Sequence, residues 1–431
     1  MSFFIHILRF FKQSLLPVFL LLIISSTADA QRDLYEPKKK ELNRAVLNIP
    51  AGAEKNFDTL AEYFHTYAQT APEKAWIIYR WITTNINYQT EVLDNLDNYE
   101  KPGAHLLKSR TAVCDGYSFL FLQLSSRMNL DAKTITGWAR GYSPPNSEDE
   151  AFGDYNRHAW NTVKIGSEWK LIDATWGSGY IGPDGSFQSS PNDYYFFTPH
   201  KQFAIDHFPE DSRWQLLDKP LTKEAYLNQA RLEPYFFNYG LGLISHMSET
   251  IRYSRSNPLL IHVPKDIQIT AQIVDENDEN QSHRTLITYN EQTASVHIAP
   301  AQRKSTLRLF ARRVSDSDER LNMVTEYDLI SNQIVQNAYP EQYKTFFSTK
   351  ANLIGPLQKY LNRERSYRFA LSHDGDYEFS VIYNNQWTQM ETSENGVHEA
   401  QLVTKVPGTL DIATRVPGTN KFEILLRYYI R

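Results

Sequence analysis

Hydrophobic residues change their spacing along this chain, and that change constrains the fold more than any other feature. In APEKAWIIYRWITTNI, residues 71–86, apolar side chains recur every three or four positions, and Pro72 suits the first turn of a helix. A second helical face follows residue 113, formed by Tyr117, Leu120, Phe121, Leu124 and Met128. From Ala159 onward apolar and polar residues alternate as in strands. Helices followed by strands predict an α+β fold.

Beyond about residue 233 the chain consists of strand-like runs separated by turn signals. The clearest runs are IQITAQIV, TLRLFARR, YEFSVIY and FEILLRYYI. Short strands in such a succession are typical of β-sandwiches. We therefore expect two β-sandwich-like modules after the mixed domain.

The predicted organisation has five segments. A signal peptide over residues 1–30 precedes a charged lead-in over 31–56, and the mixed helix-and-strand domain spans 57–217. A linker with the first β-sandwich-like module occupies 218–335, and the second module occupies 336–431. About 400 residues after the signal are enough for two or three domains with cores of their own.

The first 30 residues have the pattern of a secretory signal peptide. Arg9 and Lys12 precede the apolar run LLPVFLLLII, and Ala28-Asp29-Ala30 has the small residues of a cleavage site. A run of about ten apolar residues is shorter than the roughly 20 that span a bilayer. We expect cleavage after Ala30, an extracytoplasmic location, periplasmic or secreted, and no transmembrane segment in the mature chain.

Charge and motifs argue against several classes of function. A formal net charge of -5 with dispersed Lys and Arg offers no basic stripe for nucleic acid. His200 and His207, near Asp206, come nearest to a metal cluster, but their spacing matches no common ligand motif. DENDEN, residues 275–280, lacks the glycine and terminal glutamate of an EF-hand loop. We predict neither a metal site nor a cofactor.

Cys114 is the only cysteine among 431 residues. A lone cysteine in an exported protein pairs between chains, lies buried as a bystander, or acts as a reactive thiol. Its position where a helix begins suits the third role, because a helix N-terminus stabilises a thiolate through unpaired N–H groups and its dipole. The alternative is a small core residue, and a neighbouring base would decide between them.

The stretch NRHAWNTVKIGSEWKLIDATWGSG, residues 156–179, supplies a base. Gly166-Ser167 between two alternating runs predicts a two-residue type II′ turn. With the turn there, His158 and Asp173 lie on one face of the hairpin as diagonal neighbours, with Cβ atoms roughly 7 to 8 Å apart. A shift of one residue would place them on opposite faces. This register predicts a Cys-His-Asp system in which His158 is the base and Asp173 orients its ring.

Three blocks, VCDGYS, HAWNTVKIGSEWKLIDATWGSG and YYFFTPHKQFAIDHFPEDSRWQLL, follow one another in this order. Over about residues 60–217 they resemble the transglutaminase-like superfamily, which has a papain-like fold, and within it the kyphoscoliosis peptidase-like branch. The resemblance implies a nucleophile at Cys114, a base at His158 and an orienting acid at Asp173. The modules after residue 232 resemble the β-rich tails of that branch.

The resemblance implies activity on peptide or amide bonds, although some relatives have lost the triad and serve as scaffolds. We therefore expect an exported cysteine-dependent acyl-transfer enzyme, peptidase- or amidase-like, with protein or peptide substrates. We expect water, rather than an amine, to resolve the thioester. The alternative is a non-catalytic extracytoplasmic adaptor whose core and β-modules bind a protein or cell-envelope partner. The Cys114 N–H is the first expected oxyanion donor, and residues 81–89 are the region where we look for a second.

Overall fold

The computed structural model divides the chain into two compact units, Met1–Leu227 and Asn228–Arg431. Residues 1–30, on which the export prediction depends, and the DENDEN residues 276–279 lie outside the part that the structure describes. In that part, no helix is both long and apolar enough to cross a membrane. The described residues are 36–94, 99–141, 148–254, 257–275, 280–336, 338–373, 375–393, 395–415, 419 and 421–431.

The first unit combines helices with an antiparallel sheet. Its described helices are α1 Glu36–Leu47, α2 Phe57–His65, α3 Ala71–Asn85, α4 Glu91–Asp94, α5 Leu106–Ser109, α6 Cys114–Arg127, α7 Glu148–Ala151, α8 His200–Phe203 and α9 Lys223–Leu227. Its described strands are β1 Asn87–Tyr88, β2 Thr111–Ala112, β3 Ala132–Ala139, β4 Arg157–Ile165, β5 Glu168–Ile172, β6 Gly179–Ile181, β7 Phe187–Ser189, β8 Phe196–Thr198 and β9 His207–Pro209.

Both helices expected from the apolar spacing are present. Helix α3 begins after Thr70, whose side chain caps the N–H of Glu73, and Pro72 lies in its first turn. Helix α6 begins at Cys114 itself. The two helices pack on each other and on α2, and their apolar faces form one core. This core holds the start of α6 in a fixed position.

Helix α1 lies in the segment 31–56, which the sequence suggested was a lead-in. Leu42, Ala45 and Val46 of this helix are buried, and the helix packs on α3. The sequence EPKKKELNRAVL hid this role because only a narrow face of the helix is apolar. A domain boundary at residue 57 therefore leaves out a helix that belongs to the same core.

The sheet of the first unit has the strand order β8-β5-β4-β3-β9. Strands β4 and β5 form the predicted hairpin, in which Ile165 pairs with Glu168 and Asn161 pairs with Ile172. Gly166 has a φ of 61°, which suits the first central position of a type II′ turn. The register expected from the turn is confirmed over this ladder, and it fixes the face on which His158 and Asp173 lie.

The second unit consists almost wholly of strands. Its first module contains α10 Pro234–Asn238, β10 Arg231–Leu232, β11 Gly242–Leu243, β12 Thr250–Arg252, β13 Leu259–His262, β14 Ile267–Val274, β15 Asn280–Gln281, β16 Thr285–Asn290, β17 Thr293–Ile298, β18 Lys304–Arg313 and β19 Asn322–Ile330. Its second module contains α11 Lys344–Thr349, β20 Glu341–Gln342, β21 Asn352–Gly355, β22 Tyr360–Leu361, β23 Arg365–Ser372, β24 Phe379–Tyr383, β25 Gln386–Gln389, β26 Glu391–Thr392, β27 Val397–Thr404, β28 Gly408–Arg415 and β29 Phe422–Ile430.

The two modules repeat one topology. In the first, one sheet has the order β10-β19-β18-β14-β15 with β12 beside β19, and the other has the order β11-β13-β17-β16. In the second, the orders β20-β29-β28-β24-β25, with β22 beside β29, and β21-β23-β27-β26 match strand for strand. Phe236-Phe237 and Phe346-Phe347 occupy the matching short helices, 110 residues apart. The expected fold class, an α+β core followed by β-sandwiches, is confirmed.

Each module has its own apolar core, yet the two form one unit. The side chain of Asn352 donates to the backbone carbonyl of Tyr289 over 2.7 Å. The N–H of Tyr339 donates to the carbonyl of His283 over 2.9 Å, and Leu286 of the first module packs in the core of the second. These contacts join the modules directly.

Candidate active site

Cys114 is the first residue of α6, a helix of 14 residues, and its side chain is half-buried. Val113 at the N-cap cannot accept a side-chain hydrogen bond, so no side chain at that position caps the first-turn N–H groups. Gly116 lets this turn approach strand β2, because a Cβ there would lie 2.7 Å from the Cβ of Ala112. The thiol therefore lies at the positive end of a tightly packed helix.

His158 and Asp173 meet as the hairpin register predicts. The Nε2 of His158 donates to Oδ2 of Asp173 over 2.7 Å, and both side chains are buried. The ring of His158 also interacts electrostatically with Cys114, and Nδ1 is the ring nitrogen that does not bond Asp173. The structure thus brings the three residues expected from the sequence into one chain of contacts.

The side-chain carboxylate of Asp173 accepts four hydrogen bonds. Its Oδ1 accepts from the N–H groups of Thr175, at 2.8 Å, and Trp176, at 3.1 Å. Its Oδ2 accepts from His158 and, over 2.9 Å, from Nε2 of His207. Burial opposes ionisation, but the two histidines hold the pKa of Asp173 well below its ordinary value. The carboxylate is therefore charged and fixed in orientation.

The charge of Asp173 acts on His158 in turn. Burial disfavours the protonated ring, but the Asp173 carboxylate and the contact with Cys114 raise the pKa of His158 to about 10. At neutral pH the ring is then an imidazolium, the form that can act as the counter-ion of a thiolate. A thiolate–imidazolium pair is the resting form of an activated cysteine nucleophile.

His207 belongs to this group, although the sequence suggested it only as a weak partner of His200. The structure corrects that pairing, because His200 lies against the backbone carbonyls of Trp169 and Leu216 instead. His207 is fully buried, with Nε2 on Asp173 and with Nδ1 2.6 Å from Oδ1 of Asp206. Strand β9 has only three residues, too few for an alternation pattern to reveal which way His207 faces.

Gly137 explains how His207 reaches the group. It pairs with His158 on one side and with Pro209 on the other. A Cβ at Gly137 would lie 2.2 Å from the carbonyl oxygen of Phe208, so only glycine allows β9 to pair this closely with β3. In an antiparallel sheet opposed residues share a face, which brings His207, two positions along β9, to the face of His158.

Buried hydrogen bonds tie the cysteine helix to the histidine strand. The side chain of Asn161, on β4, donates to Oγ of Ser118 over 3.0 Å and to its carbonyl over 3.1 Å. Ser118 lies one turn beyond Cys114, and Asn161 lies three residues beyond His158. The hydroxyl of Tyr117, in the same turn, accepts from Oγ of Ser178 in the loop that follows Asp173, over 3.3 Å. These contacts fix the three functional side chains relative to one another.

Tyr88, in the 81–89 region, interacts electrostatically with Cys114. Parallel pairing of β1 with β2 places it beside Ala112, two residues before Cys114. Burial, followed by electrostatic interaction with Cys114 and Asp115, raises the pKa of Tyr88. Trp81 is excluded from this role because its indole lies in the core and donates to Glu54 over 2.7 Å.

A cavity of about 90 Å³ adjoins the cysteine turn. It is lined by residues from both sides of that turn, among them Gln89, Thr111, Val113 and Asp115. Its lining is largely polar, and it includes the residues on either side of Cys114 in the chain, Val113 and Asp115.

The arrangement of His158, Asp173 and His207 also has the composition of a metal site, with ligand atoms within 4.8 Å of one another. The contacts of 2.7 and 2.9 Å at Asp173 are shorter than the roughly 3.3 Å that separates two ligand atoms of a tetrahedral zinc ion. They are hydrogen-bond lengths, and each nitrogen that makes them donates to the carboxylate. The geometry is that of an ionic hydrogen-bonded chain.

Comparison with known proteins agrees with this geometry. Residues 58–174 match the model of the transglutaminase-like superfamily, and residues 223–342 match that of the KY-like, immunoglobulin-like domain. The chain therefore carries a transglutaminase-like domain followed by an immunoglobulin-like domain. The first match contains Cys114, His158 and Asp173 and ends before His207.

The relatives point to the KY-like branch of that superfamily. The chain is 28% identical over 218 residues to the kyphoscoliosis peptidase of Homo sapiens, covering 50% of this chain and 32% of that protein. It is 27% identical over 316 residues to a Lim and transglutaminase domain protein of Caenorhabditis elegans, covering 66% of this chain and 43% of that protein. It thus spans less than half the length of either relative. A solved structure of a TGase is 19% identical, with a TM-score of 0.24, over 38% of this chain and 43% of that one.

Proposed function

We propose that this protein is a cysteine-dependent acyl-transfer enzyme that acts on peptide or amide bonds of proteins or peptides. The carrying observation is the buried 2.7 Å contact between His158 and Asp173, with Cys114 at a helix start and close enough to the same ring to interact with it electrostatically. A thiolate, a base and an oriented carboxylate are the groups that acyl transfer requires.

In the proposed reaction His158 holds the proton of the Cys114 thiol, and the sulfur attacks the amide carbonyl carbon. The backbone N–H of Cys114 donates to the oxyanion that forms, and Tyr88 is positioned to supply a second donor. When the C–N bond breaks, His158 gives its proton to the departing amine and a thioester remains. Water then attacks the thioester, His158 takes a proton from it, and collapse of the intermediate releases the acid and leaves the sulfur of Cys114 beside a protonated His158.

Hydrolysis is proposed over amine transfer because an amine must outcompete water at about 55 M, which calls for a dry acceptor channel. The region before His158 is solvated instead: Glu148, Asp149 and Glu150 are exposed, and Tyr155 is 79% exposed. An acyl-donor peptide incubated with a labelled primary amine tests this point. Release of free acid faster than incorporation of the amine is expected, and the reverse ratio would make the enzyme a transferase with the same triad.

The β-unit is proposed to position the substrate or to anchor the enzyme to a protein or cell-envelope partner. Its two apolar cores, joined in one compact unit, suit this role. The proposed location is extracytoplasmic, on the basis of the pattern in residues 1–30. Fractionation of cells that produce the full chain, with sequencing of the mature N-terminus, tests the location.

The central experiment compares the wild type with Cys114→Ala. Extracytoplasmic proteins are incubated with each, and mass spectrometry looks for new termini, deamidated side chains and new cross-links. Products that depend on Cys114 are expected, together with fast alkylation of the wild-type thiol by iodoacetamide at neutral pH. Slow alkylation and identical protein patterns would favour the adaptor function instead.

A further inference from the structure

We propose that Asp206 and His207 extend the catalytic group into a chain of five residues, Cys114, His158, Asp173, His207 and Asp206, whose three central members are buried and in which His207 is a permanent imidazolium and acts as a positioning residue. Its effect on the thiol rests on the proposed function, whereas its charge state can be measured without any activity. The chain is held by hydrogen bonds of 2.7, 2.9 and 2.6 Å from His158 to Asp206.

The geometry alone assigns the charge of His207. Its two ring nitrogens each face a carboxylate oxygen, of Asp173 at 2.9 Å and of Asp206 at 2.6 Å. An ionised carboxylate only accepts hydrogen bonds, so both nitrogens must carry protons. Burial disfavours the charge, but the Asp206 carboxylate and the contact with Asp173 raise the pKa of His207.

The surroundings of His207 suit a cation. The ring of Phe203 stacks on it at 3.9 Å between centroids, and Trp176 lies at 4.7 Å, so aromatic faces replace water around the charge. The ring of His158, at 5.5 Å, is the other titratable group near it on the sheet. Tyr195 completes the set by donating its hydroxyl to Oδ2 of Asp206 over 3.1 Å.

Asp206 is also held in place by contacts of its backbone. Its carbonyl accepts from the N–H of Arg140 over 2.8 Å and from the hydroxyl of Tyr226 over 2.8 Å. The guanidinium of Arg140 donates over 2.6 Å to the carbonyl of Ile205, the neighbouring residue. A carboxylate fixed in this way presents Oδ1 to His207 without needing the substrate to order it.

A fixed cation on the far side of Asp173 has two consequences. It gives the buried carboxylate a second strong donor, so Asp173 keeps both its charge and its orientation while His158 gains and loses protons. It also counteracts the rise that Asp173 causes in the pKa of His158, because like charges on rings whose centroids are 5.5 Å apart repel inside the protein. His207 therefore makes His158 a better proton donor to the departing amine than Asp173 alone would.

The test uses the full chain labelled with ¹⁵N-histidine, and it follows the ring nitrogens of His158 and His207 by NMR from pH 5 to 11.5. In the wild type both nitrogens of His207 are expected to be protonated throughout the neutral range. In Asp206→Asn, which keeps the shape of the side chain but removes its charge, His207 is expected to lose one proton in that range. The deprotonation of His158 is then expected to move to higher pH.

Two further variants make the result decisive. His207→Gln keeps an N–H group for Asp173 without the charge, so it should shift His158 in the same direction as Asp206→Asn. His200→Gln is the matched control, because His200 bonds only backbone carbonyls of Trp169 and Leu216 among its hydrogen-bond contacts, and it should leave the His158 titration unchanged.

A singly protonated His207 in the wild type at neutral pH would overturn the proposal. A His158 titration that both variants leave unchanged would overturn it as well. Alkylation of Cys114 by iodoacetamide is measured alongside. Slow alkylation of Cys114 together with an imidazolium at His207 would reject the proposed function but support the charged chain. Fast alkylation together with a neutral His207 would reject the charged chain but support the proposed function.

Discussion

The two units of this protein bury histidines in opposite electrostatic settings. In the first unit, His158 and His207 lie against carboxylates that raise the pKa of each ring. In the second unit, burial lowers the pKa of several histidines, namely His246, His262, His283, His297 and His398. Among the described histidines, His158 and His207 are thus charged because carboxylates contact their rings, whereas burial favours the neutral form of the five in the second unit.

The ion pairs of the second unit lie at partly exposed positions, whether they are single pairs or the network of Glu249, Arg231, Glu326 and Arg308. Arg427 bonds both oxygens of Asp411 at 2.7 and 2.8 Å, and Arg308 bonds Glu326 at 2.6 Å. These side chains are partly exposed, so each pair contributes little beyond sheet pairing. The contrast indicates that chemistry belongs to the first unit, and the following experiments test it from the largest expected effect to the smallest.

Removal of the base should give the largest effect. We expect His158→Ala to abolish turnover and to slow alkylation of Cys114 to the rate of an ordinary thiol, because the thiolate loses its counter-ion. His398→Ala is the matched control, since His398 is also a buried strand histidine and bonds only Thr392 among side chains, at 2.9 Å. Iodoacetamide labelling of both variants at neutral pH measures the difference. Equal rates of Cys114 alkylation in the two variants would show that His158 does not activate the thiol.

Asp173→Asn should leave the fold largely intact and slow turnover by about 10³- to 10⁴-fold. The amide cannot stabilise the imidazolium of His158, and it presents the wrong hydrogen-bonding group to one of its two histidine partners. Steady-state kinetics on a peptide substrate found by the mass spectrometry above provide the measurement. Near-normal turnover would refute the role of Asp173, provided that circular dichroism shows a folded protein.

Stability should depend on pH with opposite signs in the two units. The folded pKa of His158, about 10, lies above its ordinary value near 6.5, so its stabilising effect is complete below pH 6.5 and is lost as the pH rises to 10. The folded pKa of His398 is lowered, so it destabilises its unit as the pH falls below about 6.5.

Urea unfolding followed by tryptophan emission reports on the first unit, because seven of the eight tryptophans precede residue 228. We expect the unfolding midpoint of that unit to fall between pH 7 and 9.5, and to fall less in Asp173→Asn. The lowered pKa of Asp173 adds a second loss as the pH drops below about 3.9. A midpoint that stays constant from pH 7 to 9.5 would contradict the charged state of the buried histidines.

Breaking a surface pair of the second unit should have a small effect. We expect Arg427→Ala to lower the free energy of unfolding by about 1 kcal/mol or less, because the pair with Asp411 is partly exposed and screened by solvent. Circular dichroism during thermal unfolding of residues 228–431 measures the change. The rate of Cys114 alkylation in the full chain serves as the control and should not change.

The smallest effect should come from removing the whole second unit. We expect residues 31–227 to keep the wild-type rate of Cys114 alkylation, because every described contact of the five-residue chain lies within the first unit. A fragment that ends at residue 220 should be less stable, since it lacks Tyr226, whose hydroxyl supports Asp206. A folded but inert 31–227 fragment would show that the β-unit contributes to the site.

Local sequence signals determined much of this site. The helical spacing placed a helix start at Cys114, and the Gly166-Ser167 turn fixed the register that brings His158 to Asp173. Both features depend on residues within a few positions of one another, where turn chemistry and side-chain period act directly. For the same reason the long strands of the second unit could be predicted from their alternation.

Only the tertiary structure decided the rest. His207 lies 34 residues beyond Asp173, and it reaches that carboxylate because β9 pairs with β3 across Gly137, a non-local pairing that no short pattern specifies. Helix α1 joined the core in the same way, through a narrow apolar face whose partner is distant in sequence. Spacing along the chain sets which side of an element is apolar, whereas the partner that covers it depends on the packing of the whole domain.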